Sequence, residues 1–171
     1  SLDPENCCCF IDAEYTYDPR WAKKLGIDND RVFLVKTNEA QKILEGLVGT
    51  PKKNKITGEV KQIPGLLDMV KNGQSITHSV NGRLVTLNLS KMGVIVLDSI
   101  AAMAAPSELE SEVGKNHMAP LSRFLTTELR KLTPAVAWSN VCFIAINHVK
   151  EKIGVMFGNP DTTPGGAAFK H

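Results

Sequence analysis

Three apolar runs, each followed at once by polar side chains, constrain the fold of this chain more than any other feature. They occupy residues 7–13 (CCCFIDA), 94–98 (VIVLD) and 141–146 (VCFIAI). Short apolar runs without polar alternation are typical of strands that are buried on both faces of a parallel sheet. The sequence therefore predicts three such strands.

Helical signals separate these strands. Asp18 and Pro19 open a helical stretch that Gly26 ends, and a further short strand is predicted at residues 32–35. The next helix is predicted from Asn38, as its N-cap, to Leu47, and it places four apolar residues on one face: Ala40, Ile43, Leu44 and Leu47.

A longer amphipathic helix is predicted over residues 117–132. Its apolar positions recur at three- and four-residue spacing: Met118, Leu121, Leu125, Leu129 and Leu132. The glycine- and proline-rich residues 149–168 show almost no periodicity and are predicted to be a loop. Because strands and helices alternate, we predict an α/β fold with a mainly parallel sheet flanked by helices.

Residues 49–92 differ from the rest of the chain. They are rich in glycine and lysine, and Lys52, Lys53, Lys55, Lys61 and Lys71 outnumber the acids Glu59 and Asp68. Asn81-Gly82 precedes an alternating strand, which is typical of a β-hairpin. We interpret this segment as a basic, turn-rich insertion. Either it is a surface excursion, tolerated because the cost of loop closure grows slowly with length, or it is an extra basic surface for duplex DNA or a partner protein.

Composition excludes several classes of protein. With 43% apolar and 22% charged residues, the 171-residue chain has the usage of about one globular domain, not of a disordered segment. No apolar run approaches the roughly 18 residues that cross a bilayer, so no membrane association is predicted. The net charge of +2 is too balanced to indicate nucleic-acid binding by itself. The four cysteines lack zinc-site spacing and are expected to be reduced core residues.

Polar side chains follow each of the three predicted strands, where ligands bind in open parallel sheets. They are Asp12 and Glu14, then Asp98 and Ser99, then Asn147 and His148. An aliphatic strand ending in Asp98 is typical of a carboxylate that holds a water of nucleotide-bound Mg²⁺, although many α/β strands end in aspartate. Glu14 is placed to activate an attacking water; the alternative is a solvated loop acid.

Four stretches together resemble the ATPase core of RecA-family recombinases. They are residues 10–26 (FIDAEYTYDPRWAKKLG), 93–102 (GVIVLDSIAA), 108–124 (ELESEVGKNHMAPLSRF) and 152–170 (KIGVMFGNPDTTPGGAAFK). They follow the family's order, and the last is the most specific. The resemblance covers nearly the whole chain except residues 49–92, which bacterial members lack. It implies a P-loop NTPase core.

The resemblance implies three catalytic positions. Glu14 matches the water-activating carboxylate, and Asp98 matches the acid that holds Mg²⁺ through water. His148 replaces the family glutamine that senses the γ-phosphate and couples it to the DNA-binding loop. In having histidine at this position, the chain resembles phage-type recombinases more than bacterial ones. Imidazole can still donate a hydrogen bond, and its protonation would make the coupling pH-dependent.

The resemblance also implies contacts to nucleotide and DNA. Asp18 and Trp21 match positions that contact adenine, Ser99 lies beside the Mg²⁺-holding acid, and Lys170 matches a lysine that reaches the nucleotide of the neighbouring protomer. Residues 108–118 and 149–166 match two DNA loops that line the filament axis, where apolar side chains wedge between base triplets. The positions assigned to DNA are Met118, Arg123, Arg130, Lys150, Lys152, Ile153, Phe157, Asn159, Gly165 and Gly166.

One family motif is missing from the sequence. No G-x-x-x-x-G-K-[ST] phosphate loop occurs in the 171 residues. In the family this loop precedes the first strand seen here. We therefore expect these residues to be an internal part of a longer protein and to bind nucleotide very weakly alone. A catalytically degenerate, partner-binding relative is the alternative, and a helicase-type ATPase of the same fold is another.

The resemblance implies an ATP-dependent DNA recombinase. Its cofactors would be ATP and Mg²⁺, and its partners single-stranded DNA, double-stranded DNA and further copies of itself in a helical filament. DNA would stimulate ATP hydrolysis. The expected location is the bacterial cytoplasm. The protein would be either bacterial or a phage protein made in a bacterial host.

Overall fold

The computed structural model describes residues 5–110, 120–151 and 161–162. Its strands, in chain order, are β1 (Cys7–Asp12), β2 (Val32–Lys36), β3 (Thr50–Lys53), β4 (Val60–Ile63), β5 (Ser75–Val80), β6 (Arg83–Asn88), β7 (Met92–Asp98), β8 (Cys142–Ala145), β9 (Lys150–Glu151) and β10 (Asp161–Thr162). Its helices are α1 (Pro19–Lys24), α2 (Ala40–Val48), α3 (Leu66–Lys71), α4 (Pro106–Leu109) and α5 (Pro120–Ser139).

A four-stranded parallel sheet organises the fold, in the order β2-β1-β7-β8. In its register, Cys9 lies between Phe33 and Ile95, and Ile95 lies opposite Phe143. The three apolar runs and the short run at 32–35 all form strands of this sheet. The predicted α/β fold with a parallel sheet flanked by helices is therefore confirmed.

One face of the sheet carries the core. Helices α2, α3 and α5 pack together over this face, and the apolar stripe predicted on α2 is buried along its whole length. On α5, Leu121, Leu125 and Leu132 are buried and Leu129 is partly buried, as the periodicity predicted. Burying such side chains stabilises the fold by roughly 1.5–3 kcal/mol each. Among the described residues, every helix is too short or too polar to traverse a bilayer.

The opposite face is less covered than the sequence predicted. Cys8, Phe10 and Val96 are half-buried there, and Cys142 and Ile144 are exposed. The three packed helices all lie on the other side, so the expectation of burial on both faces is wrong for the described part of the chain. The expectation of four core cysteines is also wrong for Cys142. Burial and the neighbouring cysteines do raise the pKa of the Cys9 thiol, which keeps it protonated.

Two helix boundaries differ from prediction. Glu39, not Asn38, is the N-cap of α2, and no side chain caps the helix. Glu39 is extended and forms a parallel bridge with Ala104, in which the carbonyl of Asn38 accepts from the amide of Ala104 and the amide of Ala40 donates to the carbonyl of Ala104. Helix α5 runs past Leu132 to Ser139, since apolar residues continue the same face beyond it. Residues 117–119 lie outside the described ranges.

The segment 49–92 contains more structure than the single hairpin predicted. Strands β3 and β4 form one antiparallel hairpin, α3 follows, and β5 and β6 form a second hairpin. Asn81 and Gly82 have positive φ values of 50° and 79°. Positive φ at both positions is what the tight hairpin turn predicted from the Asn-Gly pair requires. Arg83 forms an ion pair with Asp30 and so ties the second hairpin to the chain that follows α1. The assignment of the segment as an insertion stays a prediction.

Two glycines meet where the first hairpin leaves and rejoins the core. Gly49 ends α2 with φ of 79°, and Gly65 precedes α3 with φ of −84°. A Cβ atom on Gly65 would approach the backbone of Gly49, Leu47 and Val48 within 3.0 Å. The chain therefore closes on itself backbone against backbone at this point.

We expect Gly65→Ala to lower the free energy of unfolding by about 1–3 kcal/mol, because the added methyl group has no space beside Gly49. The control is Gly46→Ala, whose new Cβ would meet nothing within 4 Å and which should stabilise α2 by up to about 1 kcal/mol. Urea unfolding of the two purified variants compares them. Equal stability would contradict the close contact.

Candidate functional site

The carboxyl ends of three neighbouring strands meet at one edge of the sheet. Asp12 of β1 lies opposite Asp98 of β7, and the amide of Ala13 donates to the carbonyl of Asp98 over 2.7 Å. On the other side, the amide of Ile146 donates to the carbonyl of Leu97 over 2.9 Å. The loops after β1, β7 and β8 are thus drawn together, as the sequence predicted.

Glu14 is oriented by two side chains from the other loops. The hydroxyl of Ser99, which is fully buried, donates to Glu14 Oε1 over 2.5 Å. His148 Nε2 lies 3.4 Å from the same oxygen, so a protonated imidazole would form an ion pair with Glu14. Among the described residues, no hydrogen bond or ion pair is made to Glu14 Oε2, so that oxygen remains available as a hydrogen-bond acceptor.

Asp98 lies close to two other acidic side chains, Glu14 and Asp12. Desolvation raises the pKa of its carboxyl group, the nearby carboxylates of Glu14 and Asp12 raise it further, and His148 opposes the shift. Three acids this close repel one another, and a bound cation would relieve the repulsion.

This group of acids fits Mg²⁺ bound together with phosphates. Within the described ranges, no three His, Cys, Asp or Glu side chains are arranged to enclose a metal ion by themselves. Mg²⁺ commonly uses one or two carboxylates together with water and substrate phosphates, so such an enclosure is not needed. Asp98 is the carboxylate best placed for that role.

Asp12 supports the loop that carries Glu14. Its carboxylate is fully buried and accepts hydrogen bonds from the amides of Thr16 over 3.0 Å and Tyr17 over 2.9 Å. The ammonium of Lys36, at the end of the neighbouring strand, lies 3.6 Å away and also donates to the carbonyl of Tyr17. Sequence analysis grouped Asp12 with the polar strand ends and missed Lys36. Only the register that pairs Asp12 with Lys36 reveals the contact.

The two residues matched to adenine lie on α1. Asp18 is the N-cap of the helix and accepts from the amide of Arg20 over 2.8 Å, a bond that lowers the pKa of its carboxyl group. Trp21 is 60% exposed, with the ammonium of Lys24 lying 5.9 Å from its ring centroid. An exposed flat ring can stack on a base. The structure thus gives Asp18 a capping role, and both adenine contacts stay predictions.

Only some of the residues matched to DNA lie in the described ranges. Arg123 and Arg130 are exposed on α5. Lys150 lies in β9, which pairs with β10 as a two-residue antiparallel ladder, so residues 149–168 are not entirely the loop that was predicted. The others lie outside the described residues, and their positions stay predictions: Met118, Lys152, Ile153, Phe157, Asn159, Gly165 and Gly166, together with the nucleotide residue Lys170.

Known proteins similar to this chain carry the name RecA. Residues 76–171 match the family described as RecA N-terminal domain. "Protein RecA" of Aquifex pyrophilus is 37% identical over 161 residues, which cover 94% of this chain and 36% of that protein. "Protein RecA" of Rhodopirellula baltica is 36% identical over 163 residues, covering 94% and 33%.

A eukaryotic relative shows the same pattern. The "Mitochondrial DNA repair protein recA homolog" of Dictyostelium discoideum is 34% identical over 163 residues, which cover 95% of this chain and 28% of that protein. The chain spans about a third of the length of the curated relatives it matches.

We expect Asp12→Asn to lower the free energy of unfolding by about 1–3 kcal/mol. The amide side chain has one acceptor oxygen in place of two, so one of the Thr16 and Tyr17 amides loses its partner and Lys36 loses its counter-charge. The matched control is Asp18→Asn, which should change stability little because asparagine caps helices as well as aspartate. Urea unfolding measures both. A larger loss in Asp18→Asn would contradict the role given to Asp12.

Asp98 should make stability depend on pH. Because its folded-state pKa is raised above 3.8, the folded protein holds this proton more tightly, and stability falls as pH rises from 3.8 through the raised value. We expect Asp98→Asn to be more stable than the wild type at neutral pH, with the difference shrinking as pH falls toward 3.8. Urea midpoints across this range test the prediction. A variant less stable than the wild type at neutral pH would contradict it.

Proposed function

This chain belongs to the RecA family, and from that membership we propose that it is part of an ATP-dependent DNA recombinase. The full-length protein binds single-stranded DNA as a helical filament of its own copies. It pairs that strand with homologous duplex DNA in recombination and repair, and it hydrolyses ATP when DNA is bound. The bacterial origin of most of the named relatives supports a place in a bacterial cytoplasm, including that of a phage host.

The arrangement of Glu14 is the observation that carries this proposal. Ser99 and His148 both contact Oε1, which orients the carboxylate and leaves Oε2 available to a water molecule. A general base must lie within hydrogen-bond reach of the proton that it takes. Glu14 therefore orients a water molecule for attack on the terminal phosphate and accepts its proton.

The remaining site residues receive roles consistent with their positions. Mg²⁺ bound with ATP supplies positive charge that offsets the negative charge of the phosphates. Asp98 would hold that ion through water, since it ends β7 among two further acids. Trp21 stacks on adenine, and Asp18 contacts the base from the start of α1. Lys170 reaches the nucleotide of the next protomer in the filament.

His148 is placed to couple DNA binding to hydrolysis. On one side its ring lies 3.4 Å from Glu14. On the other side, one residue separates it from β9, which opens the predicted second DNA loop. A rearrangement of that loop around DNA would move His148 and with it the orientation of Glu14. The same loop, the first loop and the two arginines of α5 bind the single strand.

The test is Glu14→Gln in the full-length protein. Glutamine still accepts from Ser99 but cannot take a proton, so we expect DNA-stimulated ATP hydrolysis to fall by about 10²–10⁴-fold, while ATP-dependent binding of a single-stranded oligonucleotide persists. The control Glu45→Gln changes a half-buried acid on α2, outside the site, and should keep wild-type hydrolysis.

Two results would count against the proposal. One is wild-type hydrolysis by Glu14→Gln, which would remove the assigned base. The other is a wild-type protein whose ATP hydrolysis is the same with and without oligonucleotide, which would remove the recombinase assignment itself.

A further inference from the structure

We propose that the hairpin formed by β3 and β4, here called the basic arm (residues 50–63), binds the phosphate backbone of duplex DNA at a place separate from the predicted DNA loops. The inference rests on the proposed function and deepens it, because a protein that pairs a strand with a homologous duplex must also hold that duplex.

The basic arm concentrates positive charge on an exposed surface. It contains Lys52, Lys53, Lys55 and Lys61 against a single acid, Glu59, so its net charge of +3 exceeds that of the whole chain, +2. Residues 51–63 are all exposed. Within the described ranges, none of the four lysines forms an ion pair. The charges are therefore available to an external anion.

The pairing of the strands places like charges together. Lys52 lies directly opposite Lys61 in the antiparallel register. Such a pair destabilises a hairpin, so the fold of the arm alone gives no reason for it. A closely spaced row of phosphates would remove the repulsion, and duplex DNA carries one negative charge about every 1.7 Å along its axis.

The basic arm is held in shape at both ends. At its tip, Asn54 Oδ1 accepts from the amides of Ile56 over 2.9 Å and Thr57 over 3.2 Å, and the amide of Gly58 donates to the carbonyl of Asn54. At its root, Gly49 and Gly65 meet backbone against backbone. An arm ordered before binding loses less conformational entropy when it binds.

The basic arm lies near the end of the sheet at which β1 and β7 begin, whereas the proposed nucleotide site lies at the end where these strands finish. Trp138, near the end of α5, lines the groove beside the arm root together with Gly49 and Thr50. The same tryptophan lines a pocket with Asn6 and Met92, which stand at the beginnings of β1 and β7. Glu14 and Asp98 stand at the other ends of these strands. The arm therefore contacts DNA other than the strand held beside the nucleotide.

The composition of the basic arm favours duplex over single-stranded DNA. Proteins that bind single strands without sequence preference stack the bases on aromatic rings, and residues 50–63 contain no aromatic side chain. A two-stranded β-ribbon fits the major groove of B-DNA, where lysines on its strands reach the flanking phosphates. Ile56, 95% exposed at the tip, would contact the groove itself.

The experiment compares three variants of the full-length protein. Lys52→Gln with Lys61→Gln removes the opposed pair, and Glu59→Gln raises the charge of the arm. Lys42→Gln with Lys131→Gln is the matched control, because it removes the same charge from exposed lysines that are paired with Glu39 and Glu128. Binding of a fluorescein-labelled blunt DNA duplex is measured by anisotropy across a salt series, beside the matching single strand.

We expect the arm double variant to bind the duplex at least about tenfold more weakly at low salt, with a salt slope shallower by about two. Glu59→Gln should bind it more tightly, and the control should match the wild type. Single-strand binding and DNA-stimulated ATP hydrolysis should stay unchanged in all three variants.

Unchanged duplex affinity and salt slope in the arm double variant would overturn the inference and would leave an acidic protein surface as the partner of the arm. An equal loss in the control variant would also overturn it. These results differ from failure of the proposed function, in which the wild-type protein itself would show no affinity for single strands.

Discussion

The geometry of the site depends on one buried carboxyl group. Asp12 is fully enclosed, its oxygens accept from two amides of the loop that follows β1, and the ammonium of Lys36 lies 3.6 Å away. A carboxylate removed from water is costly unless hydrogen bonds and a counter-charge replace its hydration. Those compensating groups all belong to the segment that presents Glu14 or to the adjacent strand. The orientation of the loop that carries Glu14, the proposed catalytic base, is therefore part of the internal packing of the fold.

A second electrostatic feature opposes stability. Asp98, Glu14 and Asp12 approach one another at the strand ends, and the pKa of the Asp98 carboxyl is raised first by desolvation and then by the two neighbouring acids. Functional sites commonly keep such unfavourable arrangements because a ligand of opposite charge relieves them. In the proposed function, a cation bound with phosphates would relieve the repulsion among these three acids.

The central sheet and the apolar faces of α2 and α5 could be predicted from sequence because burial imposes a period on the residues that form them. The meeting of Glu14, Asp98 and His148 could also be predicted, since parallel strands end at one edge. Other features lacked a local signal. A run such as CCCFI (residues 7–11) is apolar at every position, so it does not indicate which face of the strand packs against helices. The contact between Asp12 and Lys36 depends on sheet register, and the bond from Ser99 to Glu14 joins residues 85 positions apart.

The close approach of Gly49 and Gly65 has a consequence for how such a chain acquires and loses segments. Because the backbone departs and returns at nearly one point, a short turn could join α2 to α3 without displacing either helix. Hairpins attached in this manner can be transplanted, lengthened or shed during divergence while the parent architecture persists. A related protein could therefore lack the basic arm and still keep the same sheet, because residues 50–63 leave and rejoin the core at nearly one point.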